Sequence, residues 1–264
     1  MSTPGSLIEL ASVPNLRDIG GYATRGGRRV RTGVLYRSTE LNKLSGDDLA
    51  SFGRLGIRTV FDLRTADERT ADPDRVPDGT RQIVCDVLAD SKDTAPAQLT
   101  QVVADPAFAE ELLGGGKAAT LFKQAYREIV SLPSALAAYR QLFTDLLEDA
   151  HRPALFHCTT GKDRTGWAAA ATLTLLGVSE DDVLADYMLT NTYLLPALRP
   201  YFDGFQAAGG DPDLLTPVLG VETVYLETAL DEMRTRFGTI EGYFSDGLGI
   251  DAGTQERLRT ILVA

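Results

Sequence analysis

The sequence predicts an α/β fold, with a central sheet containing parallel pairs, helices covering it, and a helix-rich C-terminal part. Three observations carry this. Short β-branched or apolar runs alternate with helical segments in the first 160 residues, the pattern that builds parallel pairs. One of these runs, residues 153–157, ends at a glycine-containing turn that opens a helix. From Thr120 onward the periodicity is helical almost without interruption.

Taken in order, residues 34–37 (Val-Leu-Tyr-Arg) read as a short strand. Ser45-Gly-Asp-Asp48 looks like a capping box opening a helix that ends near Gly56. Residues 57–63 form the best strand in the chain, and residues 82–85 another. Between Asp90 and Gly116 the pattern weakens into Asp, Ala, Pro and three consecutive glycines. That is longer than an ordinary connection, so residues 90–130 read either as a surface excursion or as a lid or substrate-facing insertion. Leu121, Tyr126, Ile129 and Val130 could share a helical face. Leu136, Tyr139, Leu142, Phe143, Leu146 and Leu147 form a clearer one. Helices continue after Ser179, with breaks expected at Pro196, Pro200, Gly209-Gly210 and Gly238. The whole of 1–264 reads as a single domain.

With 26 basic and 37 acidic side chains, the net charge is 26 − 37 = −11. That argues against nucleic acid as a partner, because such binding needs a basic face. Two cysteines, Cys85 and Cys158, cannot make a disulfide framework in a chain of 264 residues. With only two histidines, His151 and His157, a His-rich metal site is not expected and no metal is assigned, although the residues leave carboxylate sites open. The longest greasy stretch, residues 167–178, is too short to span a bilayer, so no integral membrane segment is expected. No conventional signal peptide opens the chain. Cytoplasmic residence is the first expectation, and export without such a signal the alternative. Oligomeric state is silent in the sequence.

The chemistry gathers in His157-Cys-Thr-Thr-Gly-Lys-Asp-Arg-Thr-Gly166. An apolar strand delivers Cys158, a tight loop of Thr159, Thr160, Gly161, Lys162 and Asp163 follows, and Arg164 opens a helix. Backbone N–H groups at such a helix N-terminus converge into an anion cradle. The Arg164 guanidinium adds a fork suited to phosphate oxygens. The same positive field favours a Cys158 thiolate, a nucleophile aimed at the bound anion. Attack on phosphorus would give a phosphocysteine, with Arg164 and the N–H groups holding the equatorial oxygens. The Thr165 hydroxyl is placed to meet the sulfur as it leaves, while His157 reads as orienting the loop. A buried cysteine beside a surface arginine is the bland alternative.

Residues 157–166 resemble the signature loop of the protein tyrosine and dual-specificity phosphatase superfamily. The Gly-Lys-Asp-Arg-Thr-Gly version is similar to a bacterial branch that includes a secreted triple-specificity enzyme. Five further segments carry the likeness across nearly the whole chain: Asn15-Leu-Arg-Asp-Ile-Gly-Gly21, Leu35-Tyr-Arg-Ser-Thr-Glu-Leu41, Phe61-Asp-Leu-Arg64, Ala185-Asp-Tyr-Met-Leu-Thr-Asn191 and Phe237-Gly-Thr-Ile-Glu-Gly-Tyr243. The resemblance implies the phosphatase α/β fold and cofactor-free hydrolysis of phosphomonoesters. Its substrates would be phosphotyrosine, phosphoserine or phosphothreonine proteins, or phosphoinositides. Lys162 beside the arginine is similar to phosphoinositide phosphatases, where an extra cation meets the headgroup; otherwise it is a solvated rim lysine.

The general acid stays open. By resemblance it is an Asp after an upstream strand, for which Asp90 fits better than Asp86; Asp163, inside the loop, is the other candidate. Arg17 with Asp18, and Asp62 with Arg64, could form ion pairs that brace the loop. Arg37 and Ser38 could line the pocket floor. Cys85 reads as a core residue, or else as a partner for oxidised Cys158. A phosphate-binding pseudoenzyme and a rhodanese-like sulfur transferase are the other functional classes considered.

Overall fold

The computed structural model describes residues 3–91 and 101–264. Five strands form one sheet in the order β1-β2-β5-β3-β4: β1 Arg17–Asp18, β2 Leu35–Ser38, β3 Thr59–Asp62, β4 Arg81–Val84 and β5 Ala154–His157. Only β1 pairs antiparallel; the other neighbours run parallel. Parallel neighbours need crossovers, and the helical segments expected between the strands supply them.

The three central strands are buried on both faces and alternate strictly between two cores. Leu35, Phe61, Ala154 and Phe156 enter the larger core, while Tyr36, Val60 and Leu155 enter a smaller one with Val13, Leu41 and Phe52. The edge strand β4 is mostly exposed. Register sets the site: Ser38 and Asp62 both pair with His157, so three strands end level. Thr39, Leu63 and Cys158 therefore emerge together beyond the carboxyl ends of parallel strands, where open α/β sheets bind ligands.

Helices α1 (Gly46–Arg54) and α2 (Ala66–Ala71) follow β2 and β3. Next come α3 (Pro106–Leu113), α4 (Lys117–Ser131) and α5 (Pro133–Asp145). Beyond β5 lie α6 (Arg164–Leu175), α7 (Glu180–Ala207), α8 (Thr223–Phe237) and α9 (Ala252–Leu262). Helix α6 is buried almost all round, which its four consecutive alanines, Ala168 to Ala171, permit by letting neighbours approach closely.

Several expectations are corrected. Ser45 makes no side-chain cap, because the Asp48 carboxylate instead accepts from the Ser12 N–H (2.8 Å) and hydroxyl (2.7 Å). Part of the weak stretch before Gly116 is helical: Asp105 caps α3 and Pro106 occupies its first turn, a start signal the sequence reading passed over. Residues 92–100 of the expected insertion lie outside the described residues. Leu121 is 44% exposed, while Ala118, Tyr126, Ile129 and Val130 make the buried face of α4. Pro196 and Pro200 do not break α7, which runs through both. They sit four apart on its exposed side, so the carbonyls they leave unpaired can be hydrated. The breaks at Gly209 (φ +89°) and Gly238 (φ +77°) do occur.

Candidate active site

The loop from Cys158 to Arg164 joins β5 to α6, and Gly161 fixes its shape. Gly161 has φ +65°, and a Cβ there would lie 2.2 Å from the Ser38 carbonyl oxygen, so no other residue fits. Its own carbonyl accepts from Arg37 Nη2 (3.0 Å) and Asn15 Nδ2 (3.3 Å). Turning that carbonyl toward these donors keeps it away from any anion in the cradle.

Arg37 is held by Asp186 (2.9 Å), which also pairs with Arg17 (3.6 Å) and accepts from the Tyr22 hydroxyl (3.0 Å). All three charged side chains are buried. Burial alone would raise the Asp186 carboxyl, but the two guanidinium groups hold it below its ordinary value. Burial lowers Arg17 to about 10. Arg17 thus pairs with Asp186 and not with Asp18, whose carboxylate accepts from the Gly20 and Gly33 N–H groups. Two segments far apart in sequence, around Asn15 and Arg37, therefore meet at one peptide carbonyl, and a third, at Asp186, holds Arg37 there.

On the far side Arg164 makes a bidentate pair with Glu68, at 2.7 Å to each oxygen. Its Nη1 also donates to the Leu63 carbonyl (3.3 Å). That uses the end-on edge of the guanidinium and leaves Nε–H and one Nη2–H, side by side, for an anion. Glu68 accepts as well from the Thr159 hydroxyl (2.5 Å) and forms a capping box with Thr65 at the start of α2. Burial would raise its carboxyl, but Arg164, Thr159 and the Thr65 N–H bring it down to about 2. Burial works against the charge of Arg164 too, and the neighbouring Cys158 and Glu68 outweigh it, raising its pKa.

Beneath the loop, Arg64 binds Asp62 through Nε (3.0 Å) and Nη2 (2.8 Å), and reaches Asp74 (2.9 Å) and Glu40 (2.9 Å). The expected Asp62–Arg64 pair is thus present. His157 stands 3.0 Å from Asp74 and places Nδ1 3.1 Å from the Cys158 carbonyl. Burial favours the neutral imidazole, yet Asp74 outweighs it and raises the His157 pKa. Asp62, Asp74 and His157 have metal-ligand spacing, but Arg64 already sits on both carboxylates where a cation would be.

The loop's remaining flank faces α4. Lys162 is 3% exposed, which rules out a solvated rim lysine; its Nζ contacts Asp163 Oδ1 (2.9 Å) and lies 4.5 Å from the centre of the Phe122 ring. The same Oδ1 accepts from the Tyr126 hydroxyl (2.6 Å), which is 2.5 Å from the Tyr187 hydroxyl. The Thr165 hydroxyl is buried and has no hydrogen-bond partner among the described residues. Thr159 and Thr160 are half-buried, and Cys158 is buried at the loop's base.

The upstream aspartates make no hydrogen bond to the loop residues among the described residues. The exposed Asp90 carboxylate accepts from the Ser134 N–H (2.8 Å) in the first turn of α5. Asp86, just past β4, is 3.8 Å from Arg69, and burial raises its carboxyl although Arg69 and Arg164 pull the other way. Cys85 is buried, which pushes its thiol up to about 12. Val84 and His157 both pair with Asp62, so Cys85 and Cys158 stand two strand spacings apart, roughly 10 Å. A disulfide would need backbone movement.

Sequence reasoning missed Glu68, Asp74, Tyr126 and Asp186 as site residues. The signal for Glu68 was present: Thr65 and Glu68 have capping-box spacing immediately after the Phe61-Asp-Leu-Arg64 strand end.

Among the described residues, no helix is long and apolar enough to cross a membrane. The chain is 32% identical over 254 residues to a Cupriavidus necator protein named as a tyrosine-protein phosphatase, covering 91% of this chain and 83% of that one. It is 33% identical over 279 residues to the triple specificity protein phosphatase PtpB of Mycobacterium tuberculosis, covering 97% of this chain and 98% of the relative. A tyrosine-protein phosphatase of Nostoc commune is 28% identical over 163 residues, 61% of this chain and 49% of its own. The model of the tyrosine phosphatase family matches residues 8–264, and the chain belongs to that family as a cysteine-dependent phosphatase.

Proposed function

We propose that the loop hydrolyses phosphomonoesters with Cys158 as nucleophile, Arg164 and the N–H groups of residues 159–164 as the phosphate cradle, and Asp163 as general acid. One observation carries this: Cys158 and Arg164 close the two ends of a loop whose Gly161 carbonyl is tied outward and whose arginine keeps two donors free. The Cys158 thiolate attacks phosphorus, the P–O bond to the alcohol or phenol breaks, and Asp163 gives the leaving oxygen its proton. Water then attacks the phosphocysteine, Asp163 takes its proton, and the sulfur leaves as thiolate. The Thr165 hydroxyl, buried without a partner among the described residues, would donate to that sulfur.

A second reading gives the acid role to Asp86, favoured by its raised carboxyl and its nearness to Arg164. Asp90 would have to leave Ser134 to serve. We take phosphorylated tyrosine, serine or threonine in proteins as the substrate class, ahead of phosphoinositides. Lys162 is already engaged by Asp163 and Phe122 and does not stand free for a second phosphate. Cytoplasmic residence is the matching location.

Turnover of p-nitrophenyl phosphate in EDTA tests the core. Wild-type activity should be blocked by vanadate and should vanish in Cys158→Ser. Activity persisting in a verified Cys158→Ser preparation sinks the thiolate mechanism. Faster turnover of inositol lipid headgroups than of phosphopeptides would reverse the substrate order.

A further inference from the structure

Tyr126 projects from α4, a helix outside the signature loop, and its ring is fully buried among Tyr187, Tyr225 and the loop. Its hydroxyl is the shortest side-chain contact Asp163 makes, at 2.6 Å, against 2.9 Å for Lys162. A phenol has one proton and a carboxylate has none to give, so Tyr126 donates to Asp163 and Tyr187 donates to Tyr126. The chain of donors therefore runs Tyr187 to Tyr126 to Asp163 Oδ1. Lys162 donates to the same oxygen.

Resting on the reading of Asp163 as general acid, we infer that Tyr126, backed by Tyr187, is a positioning residue that selects which carboxylate oxygen carries the transferred proton. Oδ1 accepts two hydrogen bonds, while Oδ2 accepts none among the described residues. A carboxyl that gains a proton places it on the unengaged oxygen, because Oδ1 already meets two donors. The contact also fixes the carboxyl plane, and general-acid efficiency depends on that orientation. Tyr126 is suited to the task because burial first, and Asp163 second, push its own hydroxyl well above its ordinary range. It keeps its proton, and so stays a donor, throughout the working pH. Tyr126 touches no substrate in this scheme; it acts only through Asp163.

A leaving-group series separates such a role from a structural one. A poor leaving group needs the acid, whereas dinitrophenolate departs without it. The comparison is of kcat/KM, which ends at formation of the phosphocysteine and leaves out the hydrolysis step that all substrates share, on phenyl phosphate and dinitrophenyl phosphate for wild type, Tyr126→Phe, Asp163→Asn and the double variant. In Tyr126→Phe, kcat/KM on phenyl phosphate should fall about tenfold and on dinitrophenyl phosphate by less than about twofold. In the Asp163→Asn background the tyrosine change should add nothing. Equal loss on both substrates, or an additive loss in the double variant, overturns the inference. If Asp163→Asn itself treats both substrates alike, the acid reading fails and takes this inference with it. If Asp163→Asn is selective and Tyr126→Phe is not, only the role of Tyr126 fails. Should Tyr126→Phe not fold, Tyr187→Phe carries the test. It spares the Tyr126–Asp163 bond, and a smaller selective loss is expected, whereas an unselective loss again overturns the inference.

Discussion

On the sheet side of the phosphate loop nearly every brace is a buried ion pair: Arg17 and Arg37 with Asp186, Arg64 with Asp62 and Asp74, Arg164 with Glu68. On the α4 side the contacts are aromatic and hydroxylic: Phe122 stacked on Tyr225 at 5.0 Å, Lys162 over Phe122, Tyr126 hydrogen-bonded to Asp163 and Tyr187. The two flanks do different work. Charges taken out of water hold one geometry firmly, because each leaves an uncompensated partner if displaced. They suit the parts that must not move, the Gly161 carbonyl and the Arg164 fork. Neutral hydroxyls and ring faces cost less to rearrange, and they border Asp163, the residue proposed to gain and lose a proton.

The largest effect should come from breaking the ionic flank at its centre. Asp186→Asn leaves two buried guanidinium groups facing a neutral amide. It should cost about 3–5 kcal/mol and lower the melting temperature by about 10 °C. The same substitution on the other flank, Asp163→Asn, should change melting by less than about a third of that, since its side chain is 26% exposed. Equal melting losses in a pair of thermal scans would erase the distinction between the flanks.

Next in size is Glu68. Glu68→Gln keeps the capping geometry at Thr65 but removes the charge that fixes Arg164, and kcat/KM should fall about 100-fold. Its ionisation also predicts a pH signature. The folded carboxyl sits at about 2, below its ordinary value near 4.5. The stability it supplies is therefore complete above about pH 4.5 and is lost as pH falls toward 2, for a total of about 3 kcal/mol. Asp74 and Asp186 are depressed and lose stability in the same direction. His157 is raised and behaves oppositely: its contribution is whole below its ordinary value of 6.5 and is lost as pH rises through the folded value. Acid unfolding followed by circular dichroism should show a shallower slope for Glu68→Gln than for wild type. Parallel slopes would mean that Glu68 does not titrate as a folded-state ion pair.

The two flanks also differed in how much of them the sequence disclosed. Cys158, Lys162, Asp163, Arg164 and Thr165 lie within eight consecutive residues between an apolar strand and an alanine-rich helix, so local pattern was enough to assemble them. Four of the five strands were legible from short runs with flanking breaks, whereas β1, the charged pair Arg17–Asp18, carries no apolar run and gives no strand signal. The ionic braces were only half legible. The sequence marks Arg17 and Arg64 as ion-pair candidates and Arg37 as a pocket-floor residue, but Asp186 and Asp74 come from a helix and a connection whose approach depends on tertiary packing. Helical spacing places Tyr126 on an apolar face, because such spacing reports burial and says nothing about where a hydroxyl points. Pro196 and Pro200 misled for a related reason: a proline ends a helix only when its freed carbonyl has nowhere to go.

The smallest expected effect probes the aromatic flank itself. Phe122→Leu keeps an apolar side chain against Tyr225 but removes the half-buried ring face beneath the buried Lys162 ammonium, a contact worth about 1–2 kcal/mol. The Lys162–Asp163 bond survives, so the carboxyl keeps both of its donors and kcat on p-nitrophenyl phosphate should stay within about threefold of wild type. Lys162 would be held by one partner instead of two, and its head would be freer to meet a second phosphate. A phosphoinositide headgroup carrying two phosphates should therefore gain relative to a singly phosphorylated peptide, by less than about tenfold in kcat/KM. Competition between the two substrates in one reaction reads that ratio directly. A ratio that falls instead would mean the ring positions Lys162 for the headgroup, and the phosphoinositide reading of the loop would regain ground over the protein one.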